Sequence, residues 1–142
     1  MLAKADWAHL IPHRGAMCLL DAVLSWDDAG LHAVASVADG HPLRGALGLH
    51  AVHLAEYGAQ AMALHGALLV RGRGVEAARP GRLVGLRDVE LWIEYVDAGH
   101  GRLDVHAERL YADSGGAQYA FRVEQAGRRL ASGRAAVLYV AT

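Results

Sequence analysis

A chain of 142 residues is the size of one domain with room for a real core. Lys and Arg number 14 against 15 Asp and Glu, and a formal net charge of −1 gives no general pull toward nucleic acid. The one cysteine, Cys18, has no partner for an internal disulfide, and no charged stretch followed by a long apolar one opens the chain, so a cytoplasmic protein is expected.

Taken in order, Ala5 to Leu10 reads as a short helical turn with Asp6 as a cap, interrupted by Pro12. Ile11 to Val23, IPHRGAMCLLDAV, runs from a Pro-His-Arg-Gly loop into apolar residues, which holds His13 and Arg14 against the beginning of the core. Leu19 to Trp26 and Leu31 to Ala38 read as strands, joined through Asp27, Asp28, Ala29 and Gly30 as a hairpin turn. Asp39 to Pro42 is a second polar loop.

Gly45 to Val70 is a long proline-free run, with apolar residues over most of a helical circumference. This pattern predicts a helix covered by protein all round. Glu56, Gln60 and three histidines within it argue against a lipid-facing span. Arg71 to Gly81 is a glycine-rich loop whose Arg71, Arg73 and Arg79, with Arg82 close behind, form a basic face. Four strands follow: Leu83 to Glu94, Arg102 to Ala112, Gln118 to Gln125 and Arg128 to Val140. The turns between them carry Asp97-Ala98-Gly99, Asp113-Ser114-Gly115-Gly116 and Ala126-Gly127. Strands joined by such tight turns are antiparallel, so the fold class is α+β, and one long helix across one curved antiparallel sheet is the hot-dog arrangement. A sheet edge left open in that arrangement predicts at least a homodimer.

Glu56 and Gln60 lie four residues apart, one turn from each other on the helix. A carboxyl in apolar surroundings that favour the neutral acid suits general acid or base chemistry, with Gln60 as an orienting amide; the plainer alternative is a solvent-facing stripe. His13 and His41, each beside a proline, are candidates for the imidazole that moves a proton near neutral pH, although loop histidines more often bond backbone carbonyls. His50, His53 and Glu56 follow one another at spacings of three, which is not the His-Glu-x-x-His order of a zinc helix, so no metal is expected and one of these histidines caps or lines the helix start. Gly45 and Gly48 precede the helix, where backbone N–H groups are natural donors to a carbonyl that becomes an oxyanion.

Two segments together carry a family resemblance. IPHRGAMCLLDAV resembles the Pro-His-Arg-x-x-Met/Phe-Leu-Leu-x-Asp opening of 3-hydroxyacyl-carrier-protein dehydratases, and AEYGAQAMALHG resembles their Glu-x-x-Ala-Gln helix. The likeness is closer to the predicted dehydratases of aryl polyene type clusters, whose Gly-x-Leu-x-Gly-x-Arg strand is matched by Gly81, Leu83, Gly85 and Arg87. The resemblance implies the hot-dog fold and dehydration of a 3-hydroxyacyl thioester carried on phosphopantetheine, with no cofactor of the enzyme's own and an acyl carrier protein as partner. It places the glutamate at Glu56 and the amide at Gln60; the base is expected at His41 or otherwise His13, and Gln60, Gly48, His53 and Arg14 complete the expected site as substrate-binding residues. His41 is followed by Pro-Leu-Arg-Gly where the fatty-acid enzymes have Phe-Pro-Gly, and the Met-Pro-Gly that opens their helix is replaced around Gly48, Leu49 and His50. A hot-dog thioesterase with Glu56 activating water, or a non-catalytic partner subunit of a dehydratase, are the alternatives.

Overall fold

The structure, a computed structural model, describes residues 1–11, 15–37, 43, 45–72, 81–97, 99 and 101–139. Among these residues seven strands form one antiparallel sheet: β1 (Leu2–Ala3), β2 (Ala22–Trp26), β3 (Gly30–Ala35), β4 (Gly81–Leu91), β5 (Leu103–Ala112), β6 (Gly116–Gln125) and β7 (Arg128–Tyr139). Their order is β1-β2-β3-β5-β6-β7-β4, which makes β4 one edge. Helices α1 (Lys4–Trp7) and α2 (Leu54–Gly72) complete the fold, and α2 packs across β3, β5, β6 and β7. This is the hot-dog fold expected from the order of elements.

Local chemistry explains the turns. Asp27 Oδ1 accepts the N–H groups of Ala29 and Gly30, both at 2.9 Å, and closes the β2–β3 hairpin. Asp113 Oδ1 does the same for Gly115 and Gly116 at 2.8 and 3.0 Å, between β5 and β6. These two backbone N–H groups favour the ionised carboxylate and hold the Asp113 pKa below its ordinary value. Asp6 accepts the Ala3 N–H at 2.9 Å, so it caps α1 from the third helical position.

The core lies between sheet and helix. On β6 the buried Ala117, Tyr119, Phe121 and Val123 alternate with Gln118, Ala120, Arg122 and Glu124, the period of a strand with one covered face. Against it α2 sets Leu54, Tyr57, Gly58, Ala61, Leu64, His65 and Leu68, all buried. Close approach requires glycine at two places. A Cβ at Gly58 would lie 2.6 Å from the Phe121 ring and one at Gly133 would lie 2.8 Å from its other end, so the ring is held between helix and β7. His65 is fully buried, and its Nε2 donates to the Asp27 carbonyl at 2.7 Å, which leaves Nδ1 to accept the Tyr119 hydroxyl at 2.7 Å. Burial pushes the His65 pKa down, so the imidazole is neutral and ties α2 to both the hairpin and β6.

Two features of the central helix differ from the sequence reading. The helix expected from Gly45 starts at Leu54, after a 3-10 turn over Ala51–His53. Gly45 and Gly48 exchange backbone hydrogen bonds of 3.0 and 3.1 Å, Gly48 has φ +109°, and the chain beyond pairs with the segment after β4 through Ala51 N–H to the Glu94 carbonyl and Val96 N–H to the Leu49 carbonyl. A long-range pairing thus takes residues whose composition is equally suited to a helix. The helix is also not covered all round by its own chain: Val52, Glu56 and Ala63 are exposed, with Ala55, Ala59 and Gly66 half-buried beside them.

The edge strand has the matching property. Leu86 and Leu91 pair with the buried Ala135 and Ala131, so they lie on the helix side of the sheet, yet with Leu83 they are 39–43% exposed. Among the described residues no helix is long and apolar enough to cross a membrane.

Candidate functional site at the start of the central helix

The bridged turn Gly45–Gly48 brings a cleft of ≈ 350 Å³ to the start of α2, walled by that turn, Leu43, His50, His53 and Tyr95. His50 is the cap of the 3-10 turn: its Nδ1 accepts the Val52 N–H at 3.0 Å. The Tyr95 ring meets the imidazole edge to face, with centroids 5.2 Å apart and planes at 81°. Tyr95 is placed there by the pairing of Leu49–Ala51 with Glu94–Val96. Gly48 and His53, expected at the site, therefore do line one cleft together.

Glu56 stands in the first turn of α2, on its exposed face, and makes no hydrogen bond or ion pair among the described residues. Among the described residues the apolar enclosure expected around it is not supplied. Its neighbour Tyr57 turns the other way, into the core, where burial and, secondarily, the Asp21 charge push the phenol up to about 12. That hydroxyl stays protonated at neutral pH and does not compete with Glu56 for acid–base work.

Gln60 has a different place from the one expected. It is fully buried; Nε2 donates to the Met17 carbonyl at 2.6 Å and Oε1 accepts the Leu19 N–H at 2.8 Å. Residues 17–19 lie along that flank of the helix, and the amide satisfies their backbone, so it serves the fold and is not free for substrate.

The N–H groups expected to polarise a carbonyl are likewise engaged. Gly48 donates to the Gly45 carbonyl, Ala51 to Glu94, Val52 to the His50 ring and His53 to the His50 carbonyl. His13, Arg14 and His41 lie outside the described residues, as do Arg73 and Arg79 of the basic loop; Arg71 donates to the Asp6 carbonyl at 3.1 Å. Among the described residues no group of three His, Cys, Asp or Glu side chains is placed to hold a metal ion.

Comparison with known proteins places this geometry. The ApeP-like family, described as ApeP dehydratase, matches residues 5–141. The chain belongs to the ApeP-like dehydratase family. Among solved structures, the dehydratase heterocomplex ApeI:P from Xenorhabdus doucetiae superposes with a TM-score of 0.85 at 23% identity, covering 95% of this chain and 91% of that one. A hypothetical thioesterase with coenzyme A from Streptococcus pneumoniae gives 0.69 at 11% identity, over 99% and 98%. AziG of S. sahachiroi gives 0.62 at 18% identity, over 94% and 99%. At these identities the superpositions establish the shared fold. A search of curated proteins finds no match.

Within the ApeP-like fold two residues of the cleft escaped sequence reasoning as site residues. His50 had a signal, since a histidine directly before a helix is a possible cap. Tyr95 had none, because its place depends on a pairing between segments some forty-five residues apart.

Proposed function

We propose that this ApeP-like chain dehydrates a 3-hydroxyacyl thioester to the trans-2-enoyl thioester in aryl polyene type biosynthesis. The acyl chain would be presented on the phosphopantetheine of a carrier protein, and the enzyme would need no cofactor of its own. What carries the reading is Glu56, a carboxyl unengaged among the described residues on an otherwise small and apolar helix face, three residues beyond the cleft-lining His53, in a chain of a dehydratase family.

In this reaction a histidine, His41 or otherwise His13, removes the C2 proton, and the electron pair passes through the thioester enolate to form the C2=C3 bond. Glu56 delivers a proton to the departing C3 hydroxyl, which leaves as water. A second hot-dog chain closes the site by adding its strand to the β4 edge and covering Leu83, Leu86 and the open face of α2. The ApeI:P structure is a dehydratase heterocomplex by its description, which supports a different subunit as partner beside the alternative of a second copy. The arginines of the 71–82 segment would attract an acidic carrier protein.

Incubating the purified chain, alone and with a candidate partner subunit, with a 3-hydroxyacyl carrier-protein thioester and following intact mass tests the proposal. Loss of water supports it. Loss of the whole acyl group would make the protein a thioesterase, and no change in any pairing would leave it a structural subunit.

A further inference from the structure

We infer that His50 is the hydrogen-bond donor to the substrate's thioester carbonyl, an inference that rests on the dehydratase reading above. Removing the C2 proton puts negative charge on the thioester oxygen, and a preorganised donor aimed at that oxygen is the usual means of lowering the barrier. Four backbone groups at the helix start are already used: the N–H groups of Gly48, Ala51, Val52 and His53 all have partners within the chain. A side-chain donor in the same cleft can take the task instead.

His50 is that donor by its own hydrogen bonding. Its Nδ1 accepts the Val52 N–H, so the neutral ring carries its proton on Nε2, at the opposite edge. No other partner engages the ring by hydrogen bond among the described residues, and His50 lines the cleft with His53 and Tyr95. Two contacts fix its direction, the Val52 N–H on one edge and the Tyr95 ring 5.2 Å away. A donor held before substrate arrives costs no reorganisation when charge develops. The capping bond and the donor role belong to the same tautomer, so folding at the helix start prepares the group that the reaction uses.

The step balances without a further reactant. The base takes the C2 proton, the oxygen gains charge against Nε2–H without taking the proton, and the charge returns through C2 as the C3 hydroxyl leaves with the proton of Glu56.

His50→Asn tests this, because asparagine is a good cap whose oxygen can still accept the Val52 N–H while its short amide cannot reach as the imidazole does. Turnover is expected to fall by about 100- to 1000-fold with KM changed only a few-fold and the melting temperature near wild type. His50→Asp, a capping side chain with no donor, gives the same test if the asparagine variant folds poorly. A second readout does not depend on activity. A saturated acyl-pantetheine labelled with carbon-13 at its carbonyl, which cannot dehydrate, is expected to show a downfield carbonyl shift on binding wild type that is absent with His50→Asn. If wild type fails to dehydrate while that shift follows His50, the dehydratase reading falls and the donor stands. If the carbonyl shift is the same in wild type and in His50→Asn, or an active wild type and His50→Asn turn over equally, the donor assignment is overturned.

Discussion

Glu56 and Gln60 stand one turn apart on α2 and meet opposite surroundings. Gln60 is fully buried with both ends of its amide bonded to the backbone of Met17 and Leu19, whereas Glu56 is exposed and bonded to nothing among the described residues. A polar side chain in an apolar helix serves the fold when its hydrogen bonds close within the chain. It is available to chemistry when they do not. By that criterion the amide is a fastener and the carboxyl is the proposed reagent, although the sequence presents them as a pair.

The contrast predicts which property each substitution damages. Glu56→Gln is expected to lower dehydration at least 100-fold while leaving the melting curve unchanged, the largest effect foreseen and one that steady-state kinetics and calorimetry check together. Gln60→Ala should do the reverse. It strands the buried Leu19 N–H and the part-buried Met17 carbonyl, at about 1–3 kcal/mol each with the carbonyl at the lower end, so urea unfolding is expected to report a loss of ~2–4 kcal/mol, with turnover falling only as residues 17–19 loosen. If Gln60→Ala keeps its stability and loses turnover, the division between the two residues is wrong.

A smaller effect belongs to the packing that sets the height of the helix below Glu56. Gly58→Ala pushes a Cβ into the Phe121 ring, which costs about 1–3 kcal/mol, partly offset by alanine's better helix propensity of about 1 kcal/mol. Adding Phe121→Leu is expected to recover part of the loss, and equal stabilities for the single and double variants would refute the contact as the cause.

The smallest effect is in pH. Burial lowers the His65 pKa, and burial followed by Arg122 and His32 lowers that of His106, so the folded state resists protonation of both. Each contributes stability that is complete above the ordinary value of 6.5 and is lost as pH falls below it through the lowered folded value. Melting temperature is expected to decline from neutral pH into the acid range, with a shallower slope in a His65→Gln variant.

Legibility in the sequence follows the range of the interaction that decides each element. The hairpin turns at Asp27 and Asp113 rest on side chains two or three residues from their partners, and both were readable. The alternation along β6 needs only its own residues, and it too was readable. The start of β2 was expected at Leu19 and lies at Ala22, because the Leu19 N–H goes to Gln60 instead of to a strand. The start of α2 was misplaced because Leu49–Ala51 pair with Glu94–Val96, which no local pattern announces. Glu56 could be picked out as a carboxylate among apolar residues, but the role of Gln60 depends on partners 41 and 43 residues away. β1 has two residues and no pattern to read.

In the proposed reaction Glu56 gives a proton to a hydroxyl that leaves as water. Single-turnover mass spectrometry of a 3-hydroxyacyl carrier-protein thioester labelled with oxygen-18 at the hydroxyl tests it most directly. Wild type in its complete assembly is expected to yield an enoyl thioester free of the label, and Glu56→Gln to leave the labelled substrate intact. Release of a free acid that keeps the label, or equal loss of label by both proteins, would contradict it.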